Sequence, residues 1–167
     1  MTDARDVIRA TLSDEQALVC TLYGEAAGEA IHGQIAVGCC IRNRVLADLG
    51  GDGKPDWWGE SFTGVCLKSW QFSCWWEKTA NSERVYALAQ ALIARQPYGE
   101  RSLVAELQWI AAGIIGDQLR DITRGADHYM TAALYRAAPP AWAKLANGQK
   151  RTPICSVASH VFFRLTQ

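Results

Sequence analysis

The chain has 167 residues, 49% of them hydrophobic, which is enough to bury a sizeable core within one domain. Its 17 basic and 17 acidic side chains balance, so the sequence lacks the cationic excess that binding to a phosphate backbone requires, and a nucleic-acid partner is not expected. A charged fraction of 20% argues against disorder, and the lack of an apolar run of about 18 residues argues against integral membrane contact.

Four helices are predicted in chain order. Ser13 and Gln16 have the form of a capping box, so the first helix is expected to begin there and to run to about Gly28. Apolar side chains recur at helical spacing in the other three, and Pro97 and Gly116 end the last two. The four predicted ranges are 13–28, 33–49, 82–96 and 103–115. Glycines and acids predict a turn-rich connection over 50–61.

Strand character is confined to the end of the chain. Residues 117–160 show little sustained period, and only the end, 156–165, carries the β-branched and aromatic side chains of a short strand. The predicted fold class is therefore mainly α, of the α+β kind, with a small β element.

Two glutamates share a stripe with leucines on the first predicted helix. At about 100° per residue, an arc of about 60° contains Leu18, Leu22, Glu25 and Glu29. A carboxyl that faces inward loses hydration, which raises its pKa and suits it to protonate a poor leaving group. Arg42, in the apolar arc of the second helix, is the cation expected beside the two acids. Alternatively, the glutamates only pair with Arg42 or Arg44 to hold two helices together.

Tryptophans are concentrated in one segment. Five of the seven lie within twenty residues, namely Trp57, Trp58, Trp70, Trp75 and Trp76. Indole faces suit the C–H edges of sugar rings, and the indole N–H donates to hydroxyls. The segment is therefore a candidate for a glycan-binding cleft. The alternative is that these side chains pack under a glycine-rich loop and help to build the core.

Further candidates lie towards the end of the chain. His128 and Tyr129 place an imidazole and a phenol on a predicted loop, where recognition residues are common. His160, which precedes Val-Phe-Phe, is interpreted as a half-buried structural residue.

The cysteines and histidines do not predict a metal site. The six cysteines form no CxxC pair and the three histidines are scattered, so neither a zinc site nor a cofactor is expected. Most of the cysteines are interpreted as small buried apolar residues. Cys66 and Cys74 bracket a loop that a disulfide could close outside the cytoplasm.

Together, these segments resemble the SleB-type cell-wall hydrolase family, which includes spore cortex-lytic and phage-type peptidoglycan hydrolases. The resemblance covers about residues 15–164. Its motifs are YGEAAGE at 23–29, GQIAV at 33–37, NRV at 43–45, QFSCW at 71–75, GADHY at 125–129, PAWA at 140–143 and HVFFR at 160–164. Two positions depart from the family pattern: Ala27 is often arginine there, and Ser159 is often glycine.

The resemblance implies a lysozyme-like fold with a small β element beside the active-site cleft. It implies cleavage of the β-1,4 bond between N-acetylmuramic acid and N-acetylglucosamine, by a lytic transglycosylase or a muramidase. The implied partner is the peptidoglycan glycan strand. Residues 1–167 are expected to form a single catalytic domain that acts as a monomer.

The resemblance also implies roles for individual residues. Glu25 matches the catalytic glutamate, as general acid and then general base. The residues implied to bind substrate are Tyr23, Gln71, Ser73, Trp75, His128 and Tyr129. Those implied to be structural near the site are Glu29, Arg42 and His160. Hydrolysis with a second carboxyl would draw first on Asp127 or Asp117.

Two alternatives from other classes remain open. A cell-wall amidase or cysteine peptidase would use Cys74 or Cys39 as nucleophile, with His128 or His160 as base. A non-catalytic glycan-binding domain would use the tryptophans alone.

The start of the sequence shows no secretory signal. Asp3 and Asp6 stand where a signal peptide would be cationic, and no apolar stretch follows. We therefore expect a protein made in the cytoplasm that acts on the wall. Phage holin-type release, or incorporation into a virion or gene-transfer particle, would bring it to the periplasm.

Overall fold

The computed structural model describes residues 3–47, 53 and 58–166. Helices predominate, and three short strands form one antiparallel sheet, so the predicted fold class is confirmed. The helices are α1 (Ala4–Thr11), α2 (Asp14–Ala26), α3 (Ile31–Leu46), α4 (Phe62–Cys66), α5 (Ser73–Trp76), α6 (Ala80–Ile93), α7 (Arg101–Ile115) and α8 (Ala132–Ala137). The strands are β1 (His128–Thr131), β2 (Cys155–Val157) and β3 (His160–Phe163), and a 3₁₀ turn spans Ala141–Ala143.

Helix α2 forms the centre of the core. The predicted capping box begins it: the Ser13 hydroxyl accepts from the Gln16 N–H, and the Gln16 side chain accepts from the Ser13 N–H. Every side chain from Ala17 to Tyr23 is buried, because α3, α4, α6 and α7 pack around the helix. A helix buried on all sides needs no polar face. In its last turn Tyr23 and Ala26 remain in the core, whereas Glu25 is half-buried.

Helix α2 ends at Ala26, before the predicted end at Gly28. The Asn81 side-chain amide donates to the Gly24 carbonyl at 2.9 Å, and the Glu29 N–H donates to the Ala26 carbonyl at 3.0 Å as the chain turns. The prediction that Glu29 continues the stripe of Glu25 is therefore wrong, because the chain leaves helical geometry before it reaches Glu29.

Helices α3, α6 and α7 follow their predicted ranges closely. All three begin two residues earlier than predicted, at Ile31, Ala80 and Arg101. The Thr79 side chain caps α6. The predicted residues 48 and 49, most of the predicted connection 50–61 and Trp57 lie outside the described residues. Across the described ranges, no helix has the length and apolar content to cross a bilayer.

The sheet has the order β1-β3-β2, with β3 antiparallel to both neighbours. The single strand predicted over 156–165 is in fact a hairpin, which turns at Ala158 with a left-handed φ of 51°. His128 and Tyr129 were predicted on a loop, and this is wrong: they begin β1, opposite Phe163 and Phe162. Strand β1 also contacts α3.

Candidate active site

A cavity of about 370 Å³ opens beside the end of α2. Its size falls in the range of about 300–1,000 Å³ that is common for small-molecule sites. The side chains that line it come from α2, α3, β1, the turn between α4 and α5, and the 3₁₀ turn. They are Glu25, Arg44, Trp70, Gln71, Phe72, His128, Tyr129 and Trp142. Among these described lining residues, Glu25 is the one carboxylic acid.

Burial raises the pKa of Glu25 above its ordinary value. The Cys74 thiol and backbone N–H and the Tyr129 hydroxyl hydrogen-bond the carboxyl, with the Tyr129 oxygen 3.2 Å from Oε2, and Arg44 lies nearby. These groups favour the charged form, but the loss of hydration outweighs them. The carboxyl therefore keeps its proton to a higher pH than a free glutamate does.

Arg44 is the buried cation of this cavity. Its Nε donates to the Asp127 carbonyl at 2.6 Å and its Nη1 donates to Gln71 Oε1 at 3.1 Å. The guanidinium faces the rings of Trp58 and Phe72, at 5.7 and 5.4 Å from their centroids. A cation held on several sides is a fixed positive charge beside the place where a substrate would lie.

The expectation that Arg42 lies near the two glutamates is wrong. Arg42 Nη1 donates to Asp117 Oδ1 at 3.0 Å and to the Leu119 carbonyl at 2.8 Å. Two residues along a helix rotate the side chain by about 200°, so Arg42 and Arg44 point to opposite sides of α3. Asp117 is largely exposed. Neither Arg42 nor Asp117 lines the cavity.

Asp127 orients His128. Burial would raise the pKa of Asp127, but hydrogen bonds from His128, from Thr166 and from the Leu165 and Thr166 backbone lower it to about 2. The ionised carboxylate only accepts, so His128 Nδ1 donates to Oδ1 at 2.8 Å. The ring of His128 lies between Trp58 and Trp142, with centroid distances of 5.8 and 4.8 Å.

Neither candidate for a second carboxyl is placed to act as one. Both oxygens of Asp127 already accept from the protein, and Asp127 is 1% exposed. Asp117 pairs with Arg42 away from the cavity. The described part of the site therefore offers one acid rather than two.

Glu29 and His160 lie behind Tyr129 rather than in the cavity. The backbone N–H and hydroxyl of Ser159 donate to the Glu29 carboxylate, which lowers the pKa of Glu29. Burial lowers the pKa of His160, although Glu29 Oε1 lies 3.6 Å from its Nδ1. The His160 ring packs edge-on against Tyr129 at 5.4 Å, so this cluster supports the residue that contacts Glu25.

Three residues implied to bind substrate do not line the cavity. Tyr23 is 1% exposed, and its hydroxyl contacts Arg84, Tyr98 and Glu100 instead. Trp75 is buried in the core, where its Nε1 donates to Thr21 Oγ1 at 2.9 Å. Ser73 is exposed and begins α5. The cavity does contain Gln71, His128 and Tyr129.

Sequence reasoning missed Arg44, Phe72 and Trp142 as cavity residues. All three belong to the short motifs NRV, QFSCW and PAWA, so their positions carried a signal. The motifs do not show which side chain of each faces the cleft. That choice depends on how α3, the turn before α5 and the 3₁₀ turn pack together.

The cysteines lack the setting of a nucleophile. All six are free thiols, including Cys66 and Cys74, so the loop between these two is not closed by a disulfide. Burial, together with the neighbouring Glu25, raises the pKa of Cys74, and burial also raises the pKa of Cys39. A nucleophilic cysteine needs the opposite shift, so this geometry does not favour the amidase or peptidase alternative.

A carboxyl whose pKa is raised by burial and which lines a cleft marks a candidate site for general acid–base chemistry. The chain belongs to the cell wall hydrolase family, the SleB type, whose family model matches residues 28–163. It is thus an enzyme of peptidoglycan hydrolysis. No curated protein and no solved structure gives a significant match. Glu25 lies just before the matched range, so its role depends on the geometry described above.

Proposed function

We propose that this protein cleaves the β-1,4 bond between N-acetylmuramic acid and N-acetylglucosamine, with Glu25 as general acid and then general base. The observation that carries the proposal is the setting of Glu25. Burial raises the pKa of this carboxyl above its ordinary value, in a cavity whose described lining contains no second carboxylate. A mechanism in which the substrate supplies its own nucleophile needs only one acid.

Protonation comes first in this mechanism. Glu25 donates its proton to the glycosidic oxygen, the bond from that oxygen to C1 of the muramic acid breaks, and N-acetylglucosamine leaves with a free 4-hydroxyl. The ionised Glu25 then takes the proton of the muramoyl 6-hydroxyl as that oxygen bonds to C1. This step yields a 1,6-anhydro end and restores the protonated acid. Water in place of the 6-hydroxyl would yield a reducing end.

The other cavity side chains are proposed to hold the sugars. Gln71 Oε1 accepts from Arg44, which leaves the Gln71 amide N–H₂ to donate to a carbonyl such as that of an N-acetyl group. His128 lines the same cavity, and its ring is proposed to contact a hydroxyl or an N-acetyl group of the sugar. Tyr129 fixes the orientation of the Glu25 carboxyl through its contact with Oε2.

The products of digestion test the reaction. Purified peptidoglycan is incubated with the protein, and the soluble fragments are analysed by mass spectrometry. We expect disaccharide-peptides with 1,6-anhydro-muramic acid ends. Reducing muramic acid ends would assign hydrolysis by water instead, and freed stem peptides with intact glycan strands would overturn the proposal.

A single substitution tests the acid. Glu25→Gln keeps the size of the side chain but removes its proton transfer, so we expect the rate of peptidoglycan clearing to fall by about 10²–10⁴-fold. Glu77→Gln, the same change at an exposed position outside the cavity, serves as the matched control and should clear at the wild-type rate. A Glu25→Gln variant that clears at the rate of this control would exclude Glu25 as the acid.

A further inference from the structure

Trp70 is an exposed indole in a costly conformation. Its side chain is 80% exposed, and its φ of 66° lies in the left-handed region, which a bulky residue rarely adopts. An exposed indole lacks the stabilisation that burial would give, and left-handed backbone is strained. Both features therefore lower stability at this position. Strain of this kind is concentrated at ligand-binding sites.

The indole of Trp70 is nevertheless held in place. Trp76 lies beside it, with ring centroids 6.4 Å apart and planes inclined by 37°. Trp76 is fixed in turn, because its Nε1 donates to the Lys68 carbonyl at 3.1 Å and the Arg9 guanidinium lies 4.4 Å from its ring centroid. The turn itself is closed by the Gln71 N–H, which donates to the Lys68 carbonyl at 3.1 Å.

Trp70 also lines the cavity that contains Glu25. The next residue, Gln71, lines the same cavity; its Oε1 accepts from Arg44, and across the described residues its amide N–H₂ has no acceptor. Trp142 lines the same cavity but packs against His128 and Phe163, at 4.8 and 5.5 Å. Trp70 therefore presents far more open aromatic surface to a ligand than Trp142 does.

We propose that Trp70 is a stacking platform for one pyranose ring of a β-1,4-linked amino-sugar strand, beside the cleavage position. The inference rests on the proposed function, since it takes the ligand of the cavity to be a glycan. An indole face packs against the C–H face of a sugar ring, while the neighbouring Gln71 amide hydrogen-bonds the polar substituents. Trp70 thus binds substrate without taking part in proton transfer.

Binding of a tetramer of β-1,4-linked N-acetylglucosamine, measured by titration calorimetry, tests the platform. The parent protein is the Glu25→Gln variant, in which turnover of the ligand should be slower by about 10²–10⁴-fold. Trp70→Ala in this parent should weaken binding by about tenfold, the loss expected for one aromatic stacking contact. Trp109→Ala, which removes an indole that is 57% exposed on α7 outside the cavity, is the matched control and should bind like the parent.

A second variant separates binding from folding. Glycine accepts a φ of 66° without strain, so Trp70→Gly should lose binding as Trp70→Ala does while its Tm stays at or above that of the parent. A Tm that falls by more than about 4 °C would show that the indole is structural, and would overturn the inference.

The outcomes distinguish this inference from the proposed function. If the parent and Trp70→Ala bind the tetramer equally, the platform is wrong while the role of Glu25 stands. If the parent binds neither the tetramer nor purified peptidoglycan, both the glycan assignment and the platform are overturned. Selective loss of binding in the two Trp70 variants supports the inference.

Discussion

The burial of Glu25 that suits it to its proposed role as general acid also costs stability. Because the folded state raises the pKa of Glu25, the folded chain holds a proton that the unfolded chain releases. The free energy of unfolding therefore falls as pH rises from the ordinary glutamate pKa through the raised one. Below the ordinary value, both states are protonated and the penalty vanishes.

Glu25→Gln should remove this penalty. We expect the Tm of the variant to exceed that of the wild type at pH 7, and the difference to close as the pH is lowered to about 4. Thermal unfolding of both proteins between pH 4 and 8 measures the effect, with Glu77→Gln as the control for a generic loss of charge. A constant difference across that range would contradict the raised pKa.

In the proposed mechanism, the same pKa sets the pH dependence of the reaction. Glu25 must be protonated to act as general acid, so kcat/KM for peptidoglycan should decline as pH rises through its raised pKa. Rates measured on purified glycan strands from pH 4 to 9 give this limb of the profile. Activity that increases steadily up to pH 9 would be incompatible with a protonated Glu25 as the acid.

Asp127 has the opposite effect on stability. Its pKa of about 2 in the folded state lies below its ordinary value of 3.8, so its ionised form contributes about 2 kcal/mol to stability at neutral pH. The sign is that of a lowered carboxyl: the contribution is present above pH 4 and is lost as pH falls towards 2.

Asp127→Asn should therefore lower the free energy of unfolding by about 2 kcal/mol at pH 7 and by much less at pH 2.5. Urea unfolding at the two pH values measures the difference. Asp117→Asn is the matched control, because that carboxylate is 88% exposed and its pair with Arg42 should contribute under about 1 kcal/mol. Equal losses in the free energy of unfolding for the two variants at pH 7 would refute the stabilising role of ionised Asp127.

At the scale of elements, the close contact of α2 with α5 depends on Gly24. A Cβ at this position would lie 2.5 Å from Cys74 Cβ, 2.8 Å from its sulfur and 2.9 Å from Val85 Cγ2. The lack of a side chain at Gly24 therefore lets Cys74 approach Glu25. A larger residue would push α5, and the thiol with it, away from the end of α2.

Gly24→Ala should destabilise the protein by about 1–3 kcal/mol, the usual cost of inserting a methyl group into a packed core. Gly28→Ala offers the matched control, because a Cβ there would meet nothing within 4 Å. Urea denaturation of the two variants compares them directly. If Gly24→Ala were as stable as Gly28→Ala, the close approach of α2 and α5 at Gly24 would be contradicted.

The elements that sequence reasoning predicted are the long ones. Helices α2, α3, α6 and α7 span several turns, so their apolar periods and end signals can be read from the sequence. Helices α1, α4, α5 and α8 and strand β1 are too short to show a period, and contacts with other elements determine their conformation. His128 and Tyr129 fall on one of these short elements, which explains why a loop was predicted there.

The part of the site that could be predicted consists of residues whose side-chain chemistry stands out within the motifs. Glu25, Gln71, His128 and Tyr129 stand in motifs and line the cavity. The roles of Arg42 and Arg44 were not predictable, because both lie in the same helical segment and only the packing of α3 shows which one faces the cleft. Trp75 was misassigned for the same reason, since an indole suits a core as well as a sugar.

At the scale of the whole molecule, the reactivity of the thiols reports whether the chain is folded. Five of the six cysteines are buried and Cys155 is half-buried. Burial raises the pKa of all six thiols. For Cys40 and Cys66 the pKa reaches about 12. Protonated thiols inside a core react slowly with disulfide reagents.

Thiol titration should therefore distinguish the native from the unfolded chain. With an aromatic disulfide reagent at pH 8, we expect at most one fast-reacting thiol in the native protein, at Cys155, and six in guanidinium chloride. Cys155→Ser should abolish the fast phase. A total of four in the unfolded protein, prepared without reductant, would reveal a disulfide that this structure does not have.

Asp127 ties the last stretch of the chain to the wall of the cleft. The N–H groups of Leu165 and Thr166 donate to the two oxygens of the carboxylate that also orients His128. Leu165 and Thr166 thus hold the Asp127 carboxylate in place. A chain cut after Arg164 would leave the carboxylate short of two N–H donors and weaken its hold on the imidazole. Recognition of a ligand in the cavity would thus depend on two residues that do not line it.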